Sequence, residues 1–310
     1  LGNVPYFILD GVGVALFNKL YKDLTAKIGK PDVLHAHFYD MAAIVARSKL
    51  KNVPFLITEH SSFIHKMETN SRLWRRMQKT YICADQVIAV SQSLANTIEG
   101  RFQVDVQVIP NIVDLSIFQL DKFQLKEKKD KFLFISTGNL VPIKNMELLI
   151  NTFSGAFFNN KKIELIINGD GEDKVKLDKL IDELEMRDNI RLNGQVSRSK
   201  LAELYKNADA FVLVSSSETF GLAYVEALAS GLPVIATRCG GPEDFVNDTN
   251  GLLIKPNDYA ELIQALHVMI EIAQKFDRQA ISDKISRMYS AKNIVIKLER
   301  CYTKVLAANY

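Results

Sequence analysis

The chain has 310 residues, of which 47% are hydrophobic and 24% are charged, with a net charge of +3. This is the composition of a globular protein of about two domains, and it excludes a disordered or fibrous chain. No apolar run approaches the roughly 20 residues that cross a bilayer, so no membrane span is predicted. The three cysteines form no Cys-x-x-Cys pair, so no zinc ribbon is predicted.

Charge and cysteine usage also bear on partners and location. The nearly balanced charge gives no indication of a nucleic-acid partner. Widely spaced, unpaired cysteines favour a reducing, cytoplasmic setting over a disulfide framework. The chain starts at Leu1 without the pattern of a signal peptide, and we interpret it as a fragment or processed chain.

Short runs of β-branched residues alternate with helical segments from Asp32 onward. An amphipathic segment over residues 12–28 precedes them. In the first part, predicted strands cover residues 33–36, 54–58, 86–90 and 106–109, and predicted helices cover 41–50, 71–83 and 93–100. Four strands are fewer than the five or six of a complete doubly wound sheet. We therefore expect an incomplete N-terminal domain, which lacks its first strand and phosphate-facing turn.

A polar, lysine-rich stretch over residues 121–131 interrupts the pattern and predicts a linker between two domains. The alternation then restarts. Predicted strands cover residues 132–137, 163–168, 190–193, 210–214, 233–237 and 251–254, and predicted helices cover 146–158, 174–185, 199–207, 220–230 and 259–273. Near-continuous apolar strands indicate a parallel sheet covered by helices on both faces. The predicted domains are residues 1–120 and 121–289, followed by a C-terminal segment, 290–310.

The segment over residues 215–227 combines two carboxylates with a glycine at a predicted helix start. It reads Ser-Ser-Ser-Glu-Thr-Phe-Gly-Leu-Ala-Tyr-Val-Glu-Ala. It follows a buried strand and opens a helix, so that Glu218 lies in the turn and Glu226 lies two turns into the helix. This arrangement places both carboxylates near the carboxyl edge of a parallel sheet, where α/β proteins bind ligands.

The start of this helix is also a candidate anion site. The amides of Phe220, Gly221 and Leu222 are predicted to lack intrahelical partners, and such amides favour a phosphate or diphosphate. The alternative is a helix start that Thr219 caps, with two solvated carboxylates and no ligand.

A second strand-to-helix loop carries a glycine and a lysine. It reads Ser-Thr-Gly-Asn-Leu-Val-Pro-Ile-Lys-Asn over residues 136–145. Gly138 permits close backbone approach, and Lys144 brings a compact positive charge to the same sheet edge, where it would stabilise a departing diphosphate. The alternative for Lys144 is a solvated loop lysine.

Three histidines follow strands in the first part. His35 and His37 are two residues apart and point the same way on a strand, but no cysteine or carboxylate cluster joins them, so metal binding is the weaker hypothesis. His60 follows the next strand and is interpreted as a hydrogen-bond donor in an interdomain cleft or as a structural residue.

Other motifs are weak or absent. The basic segment over residues 72–79 is interpreted as a solvated helix face, with contact to an anionic membrane as the alternative. Gly169-Asp170-Gly171 lacks the third glycine of a dinucleotide fingerprint, and the sequence has no Walker A loop, Gly-x-Ser-x-Gly, His-Glu-x-x-His or Asp-x-Asp motif. Dehydrogenase, P-loop, hydrolase and metalloprotease functions are therefore disfavoured.

Taken together, these motifs resemble the retaining GT-B glycosyltransferases that use nucleotide sugars, the glycosyl transferases group 1. The resemblance runs from about residue 32 to 273 and is far more specific than any single motif. The matching segments are Glu218-x7-Glu226 and residues 138–144, 168–171, 194–196, 231–234 and 240–243, with 35–37, 58–60, 84–91 and 109–114 in the first part.

The resemblance implies an α/β GT-B fold, in which two Rossmann-like domains face each other across a cleft and a last helix packs back on the first domain. It implies that Glu226 binds the ribose hydroxyls, Glu218 the hydroxyls of the transferred sugar and Lys144 the leaving diphosphate. It also implies that Val196 lies beside the nucleotide base and that His60 faces the donor sugar. The implied donor-binding residues are Gly138, Asn139, Val196, Phe220, Gly221, Leu222 and Glu226.

The implied reaction transfers a hexose or N-acetylhexosamine from a UDP- or GDP-linked sugar to a hydroxyl of a glycan or lipid-linked acceptor, with retention of anomeric configuration. It needs no metal and no cofactor. A polysaccharide-synthesising, cytoplasmic enzyme is implied, with weak peripheral membrane contact as an open alternative. Two residues depart from the family pattern, because Asn139 stands where an arginine is usual and Ile112 where a glycine is usual. A catalytically impaired nucleotide-sugar binding module, a GT-B phosphorylase and an epimerase are the alternative functions.

Overall fold

The computed structural model describes residues 6–48, 50, 53–120 and 130–309. The chain divides into two compact α/β units, the first formed by Leu1–Pro110 with Ile294–Tyr310 and the second by Asn111–Asn293. The sequence predicted that the first domain ends at residue 120. The structure assigns residues 111–120 to the second unit, where Phe118 is fully buried and its ring lies 5.9 Å from that of Tyr205. Most of the predicted linker, residues 121–129, lies outside the described residues.

The first unit has a four-stranded parallel sheet in the order β1-β2-β3-β4. In chain order its elements are α1 (Tyr6–Ile28), β1 (Leu34–His37), α2 (Tyr39–Arg47), β2 (Phe55–Glu59), α3 (Arg72–Ile82), β3 (Gln86–Ala89), α4 (Gln92–Phe102), β4 (Val106–Val108) and, after the second unit, α11 (Ala291–Asn309). Both α3 and α4 begin at a serine, because Ser71 and Ser91 accept hydrogen bonds from Trp74 N and Leu94 N.

Helix α11 completes the core of the first unit. Its Ile294, Cys301 and Val305 are buried in one cluster with sheet residues such as Leu56 and Ile88. The segment therefore belongs to the unit that the chain left at Pro110.

The second unit has a six-stranded parallel sheet in the order β10-β9-β8-β5-β6-β7. Its strands are β5 (Phe132–Thr137), β6 (Ile163–Asn168), β7 (Ile190–Gly194), β8 (Ala210–Leu213), β9 (Val234–Thr237) and β10 (Gly251–Ile254). Its helices are α5 (Met146–Phe157), α6 (Lys174–Glu183), α7 (Arg198–Asn207), α8 (Leu222–Ala229), α9 (Tyr259–Ile272) and α10 (Arg278–Tyr289). The strand order is that of a complete doubly wound sheet, in which the chain changes direction across the sheet between β5 and β8.

The predicted strands are confirmed, with shifts of at most one residue at their ends. Helix α10 was not predicted. It contributes Ile281, Ile285 and Tyr289 to the buried core at intervals of four residues. Because these are only three apolar positions in an otherwise polar segment, the helical periodicity is weak in the sequence.

None of the helices in the described part of the chain is both long and apolar enough to cross a membrane.

Candidate functional site

The candidate site lies at the switch point of the second sheet. Because β5 and β8 are adjacent and parallel, the loops that follow them leave the same edge of the sheet. The two loops are joined directly, since Ser216 N donates to Ile143 O at 2.9 Å. The sequence motifs at residues 136–145 and 215–227 are therefore brought together.

An ion pair links the two loops. Lys144 Nζ lies 2.6 Å from Glu218 Oε1, and only 22% of the lysine side chain and 10% of the glutamate side chain are exposed. Glu218 Oε1 also accepts a hydrogen bond from Ser215 Oγ at 2.8 Å. The solvated-lysine alternative is therefore wrong, because Lys144 is held against a buried carboxylate.

The backbone of Glu218 is fixed by the loop after β9. Its amide donates to Cys239 O at 3.0 Å, and its carbonyl accepts from Gly241 N at 2.8 Å. This parallel bridge holds the chain extended before α8. The position of the Glu218 carboxylate is therefore set by a backbone segment that is hydrogen-bonded on both sides of the residue.

Helix α8 begins later than predicted. Its N-cap is Gly221, in a left-handed conformation (φ 93°), and no side chain caps it. The alternative in which Thr219 caps the helix is therefore wrong. Phe220 also lies outside the helix, buried against the rings of Phe245 and Tyr289. Within α8, Tyr224 N and Val225 N donate to Gly221 O, which leaves the amides of Leu222 and Ala223 without intrahelical partners.

The loop after β5 packs closely on the loop after β6. Gly138 N donates to Asn168 O at 3.1 Å. A Cβ at Gly169 (φ +144°) would lie 1.9 Å from Gly138 O, whereas a Cβ at Gly138 would lie 3.7 Å from Lys144 Cδ. The contact between these two loops therefore requires a glycine at 169, and the predicted role of Gly138 in donor binding stays a prediction.

Glu226 lies on α8, with a relative exposure of only 4%. Burial raises the pKa of its carboxyl, and Arg198 opposes this rise. Arg198 Nη2 lies 2.9 Å from Glu226 Oε1 and forms an ion pair with it, so the buried carboxylate has a charged partner. The alternative of two solvated carboxylates is wrong, because both Glu218 and Glu226 are buried.

The remaining predicted donor-binding residues lie along the same edge. Asn139 is exposed in the loop after β5, and Val196 is half-buried two residues after β7. Because the strands are parallel, Val196 lies at the same carboxyl edge as Lys144, but it follows the outermost strand β7, two strands away from β5. The roles assigned to these residues stay predictions.

The histidines of the first unit form a stack. The rings of His35 and His37 lie 4.7 Å apart, and His37 Nδ1 lies 3.1 Å from His60 Nε2. Burial, followed by the neighbouring histidines, lowers the pKa of both His35 and His60 to about 4. His35 also bonds to Tyr302 Oη and Thr58 Oγ1 at 2.8 and 2.7 Å. In the described residues, no three His, Cys, Asp or Glu side chains are grouped in a way that could hold a metal ion.

A buried carboxylate anchors the turn that carries His60. Glu59 Oε1 accepts hydrogen bonds from the amides of His60 and Ser61, both at 2.9 Å, and Oε2 accepts from Tyr81 Oη at 2.8 Å. Sequence reasoning assigned no role to Glu59 or Arg198, because Tyr81 and Glu226, the side chains that they contact, lie far away in the sequence.

Two family models together match almost the whole chain. One, described as Glycosyl transferases group 1, matches residues 118–289, which is more than half of the chain. The chain belongs to the glycosyl transferases group 1 family. The second, described as Glycosyltransferase Family 4, matches residues 3–117. The family resemblance predicted from the sequence is therefore confirmed.

Curated members of this family include enzymes that act on lipids. The chain is 24% identical to the phosphatidylinositol N-acetylglucosaminyltransferase GPI3 subunit of Saccharomyces cerevisiae, with 81% of this chain and 57% of that protein covered. It is 29% identical to the alpha-monoglucosyldiacylglycerol synthase of Acholeplasma laidlawii, with 85% and 72% covered. The chain thus spans little more than half the length of the GPI3 subunit.

Solved structures of similar fold agree with the family. Sucrose-phosphate synthase from Thermosynechococcus elongatus superposes with a TM-score of 0.80 at 22% identity, with 98% of this chain and 81% of that chain covered. Anabaena HepE in complex with UDP gives 0.78 at 19% identity, with 92% and 82% covered. These likenesses and the two parallel-sheet units confirm the predicted GT-B fold.

Proposed function

We propose that this family member is a glycosyltransferase that moves a hexose or N-acetylhexosamine from a nucleotide-diphosphate sugar to a hydroxyl of a glycan or lipid-linked acceptor, with retention of anomeric configuration. The observation that carries the proposal is the pair of buried carboxylates on either side of the start of α8, at the switch point. One is paired with Lys144 at 2.6 Å, and the other is paired with Arg198 at 2.9 Å.

Glu226 is the proposed ribose-binding residue. An ionised carboxylate has about four acceptor positions, so the contact between Arg198 and Oε1 leaves positions that sugar hydroxyls can fill. Ribose presents two adjacent hydroxyls, and an ionised carboxylate accepts hydrogen bonds from both. This supports a nucleoside as the ligand beside Glu226.

Lys144 and the start of α8 are the proposed diphosphate-binding elements. The lysine supplies a full positive charge, and the amides of Leu222 and Ala223 supply the partial positive charge of a helix N-terminus. Charge that develops on the leaving diphosphate is stabilised by both. In this proposal neither a metal nor a cofactor is required.

Glu218 is proposed to accept hydrogen bonds from hydroxyls of the transferred sugar. In the reaction, the bond between the anomeric carbon and the diphosphate oxygen breaks, and a bond to the acceptor oxygen forms on the same face. The departing phosphate accepts the proton of the acceptor hydroxyl. The part that His60 plays stays a prediction.

The relatives support the class of substrate. HepE was solved with UDP, the GPI3 subunit is named as a phosphatidylinositol N-acetylglucosaminyltransferase, and the Acholeplasma enzyme is named as a synthase of monoglucosyldiacylglycerol. We therefore propose a UDP- or GDP-linked donor. A cytoplasmic location, with weak peripheral contact to a membrane, is part of the same proposal and is supported by the three free cysteines.

The test is product analysis by proton NMR. The protein is incubated with UDP- and GDP-linked glucose and N-acetylglucosamine, with and without simple glycoside or glycolipid acceptors. With an α-linked donor, the expected result is release of the nucleotide diphosphate and a new α-anomeric signal. Both should be absent in Glu226→Ala. Both should be present in the control Glu271→Ala, which removes an exposed carboxylate on α9. A β-anomeric product would contradict retention.

A second candidate, a nucleotide-sugar binding module without turnover, is favoured by one observation. Asn139 provides no charge where the family usually has an arginine, so fewer cations face the diphosphate. Binding without donor cleavage, converted to cleavage by Asn139→Arg, would support this candidate. Cleavage by the unaltered chain would contradict it.

A further inference from the structure

The carboxylate proposed to bind ribose is paired with a residue that the family motifs do not include. Arg198 is the first residue of α7, and its Nη2 lies 2.9 Å from Glu226 Oε1. Half of the arginine side chain (51%) is exposed, against 5% of the glutamate side chain. The arginine therefore keeps part of its hydration while it compensates a carboxylate that has lost nearly all of its own.

The guanidinium is held in place by an aromatic ring. The Arg198 Cζ atom lies 5.0 Å from the centre of the Phe118 ring, within the range of a cation–π contact. Phe118 is fully buried, so its position is fixed by the core of the second unit. An arginine side chain that would otherwise be mobile is thus aimed at Glu226.

Few other titratable groups act on this carboxylate. On α7, Tyr205 is fully buried, and burial raises the pKa of its hydroxyl, so the ring is neutral. Asp114 acts on Arg198 from the segment before Phe118, but it is exposed and bonds mainly to Ser116. In the described part of the second unit, no charge from β8, β9 or α10 is found acting on Glu226. Arg198 is therefore the cation that offsets its burial.

We propose that Arg198 is a positioning residue that keeps Glu226 ionised and oriented for the nucleoside of the donor. This inference rests on the proposed function of Glu226. Burial favours the neutral carboxyl, which accepts fewer hydrogen bonds from ribose and carries an O–H that donates instead. By opposing protonation, Arg198 sets the lowest pH at which the donor binds well.

The test measures the affinity for UDP and GDP by calorimetry from about pH 5 to about pH 9 in the unaltered chain, Arg198→Gln and Arg198→Lys. In both the unaltered chain and Arg198→Gln, the affinity is expected to fall as the pH is lowered, by up to about tenfold per pH unit. The midpoint of this fall should lie at a higher pH in Arg198→Gln than in the unaltered chain. Arg198→Lys keeps the charge and should move the midpoint back. The matched control, Arg287→Gln, removes an exposed arginine on α10 and should leave the profile unchanged.

A second measurement does not depend on nucleotide binding. The chain is labelled with ¹³C at the glutamate carboxyls, and the Glu226 signal, assigned with Glu226→Gln, is titrated without ligand. A higher midpoint in Arg198→Gln supports the inference, and identical titration in both chains overturns it. An equal loss of affinity at every pH would also overturn it, because it would indicate a packing role.

The two proposals fail in distinguishable ways. If neither UDP nor GDP binds the unaltered chain, or if Glu226→Gln binds them as well as the unaltered chain does, the proposed role of Glu226 is wrong. The carboxyl titration would then still decide whether Arg198 keeps Glu226 ionised.

Discussion

Replacing Lys144 by methionine separates its structural role from its proposed role in the reaction. The substitution keeps the length of the side chain and removes the charge that lies 2.6 Å from Glu218. Because 22% and 10% of the two side chains are exposed, the pair lies between a surface and a fully buried ion pair. Glu218 keeps the hydrogen bond from Ser215, so we expect a loss of about 1–3 kcal/mol in the free energy of unfolding.

The effect on turnover should be larger than the effect on stability. Removing one preorganised charge from a developing anion costs about 10²–10³-fold in kcat. The assay is release of the nucleotide diphosphate at saturating donor, with folding followed by urea unfolding. Lys284→Met, which removes an exposed lysine on α10, is the control and should change neither quantity.

The double variant Lys144→Met with Glu218→Gln decides between the two roles. Without the unpaired carboxylate, stability should recover by about 1–2 kcal/mol relative to Lys144→Met. Turnover should stay well below that of Glu218→Gln alone, because the charge that faces the diphosphate is still missing. If the double variant turned over as fast as Glu218→Gln alone, Lys144 would act only by neutralising Glu218, and our reasoning about the leaving group would be refuted.

Two further predictions concern the scaffold. Gly169→Ala adds a Cβ 1.9 Å from Gly138 O at a φ of +144°. We expect it to lower the free energy of unfolding by more than about 2 kcal/mol in urea unfolding and to weaken nucleotide binding in calorimetry. The control is Gly100→Ala, where the added Cβ meets no atom within 4 Å. His35 and His60 have a pKa of about 4 when folded, below the ordinary value of 6.5, so the stability that they confer is complete above about pH 6.5 and is lost as the pH falls through 4. The free energy of unfolding should fall by at most about 1.4 kcal/mol per pH unit for each ring, and by less because both rings are partly solvated. A chain with both histidines replaced by asparagine should lose this pH dependence. An unchanged pH dependence in that chain would contradict the assignment.

The strands of both sheets could be predicted from the sequence because they are nearly continuous apolar runs, which parallel sheets require. Helix α10 was missed since only Ile281, Ile285 and Tyr289 of its large apolar residues face the core. The start of α8 was placed two residues early, because Thr219 is a good N-cap by composition. The backbone bridge between Glu218 and Gly240, a contact between distant segments, keeps the chain extended there instead.

The candidate site was predictable to the extent that it is encoded in local motifs. Lys144 and Glu218 lie in loops that follow adjacent strands of a doubly wound sheet, so their meeting follows from the strand order. The pairing of Arg198 with Glu226 was not predictable, because it depends on how α7 packs beside α8. No residue spacing in the sequence indicates this contact.

The most direct test of the donor site is calorimetric titration of the chain with UDP, GDP, ADP and their sugar conjugates. We predict saturable binding of one nucleotide class, weakened at least about tenfold in both Lys144→Ala and Glu226→Ala, since each variant removes a charged group from the site. Binding of equal affinity in all three chains would contradict the placement of the site at the switch point. Absence of binding by any of these nucleotides would contradict the proposed function itself.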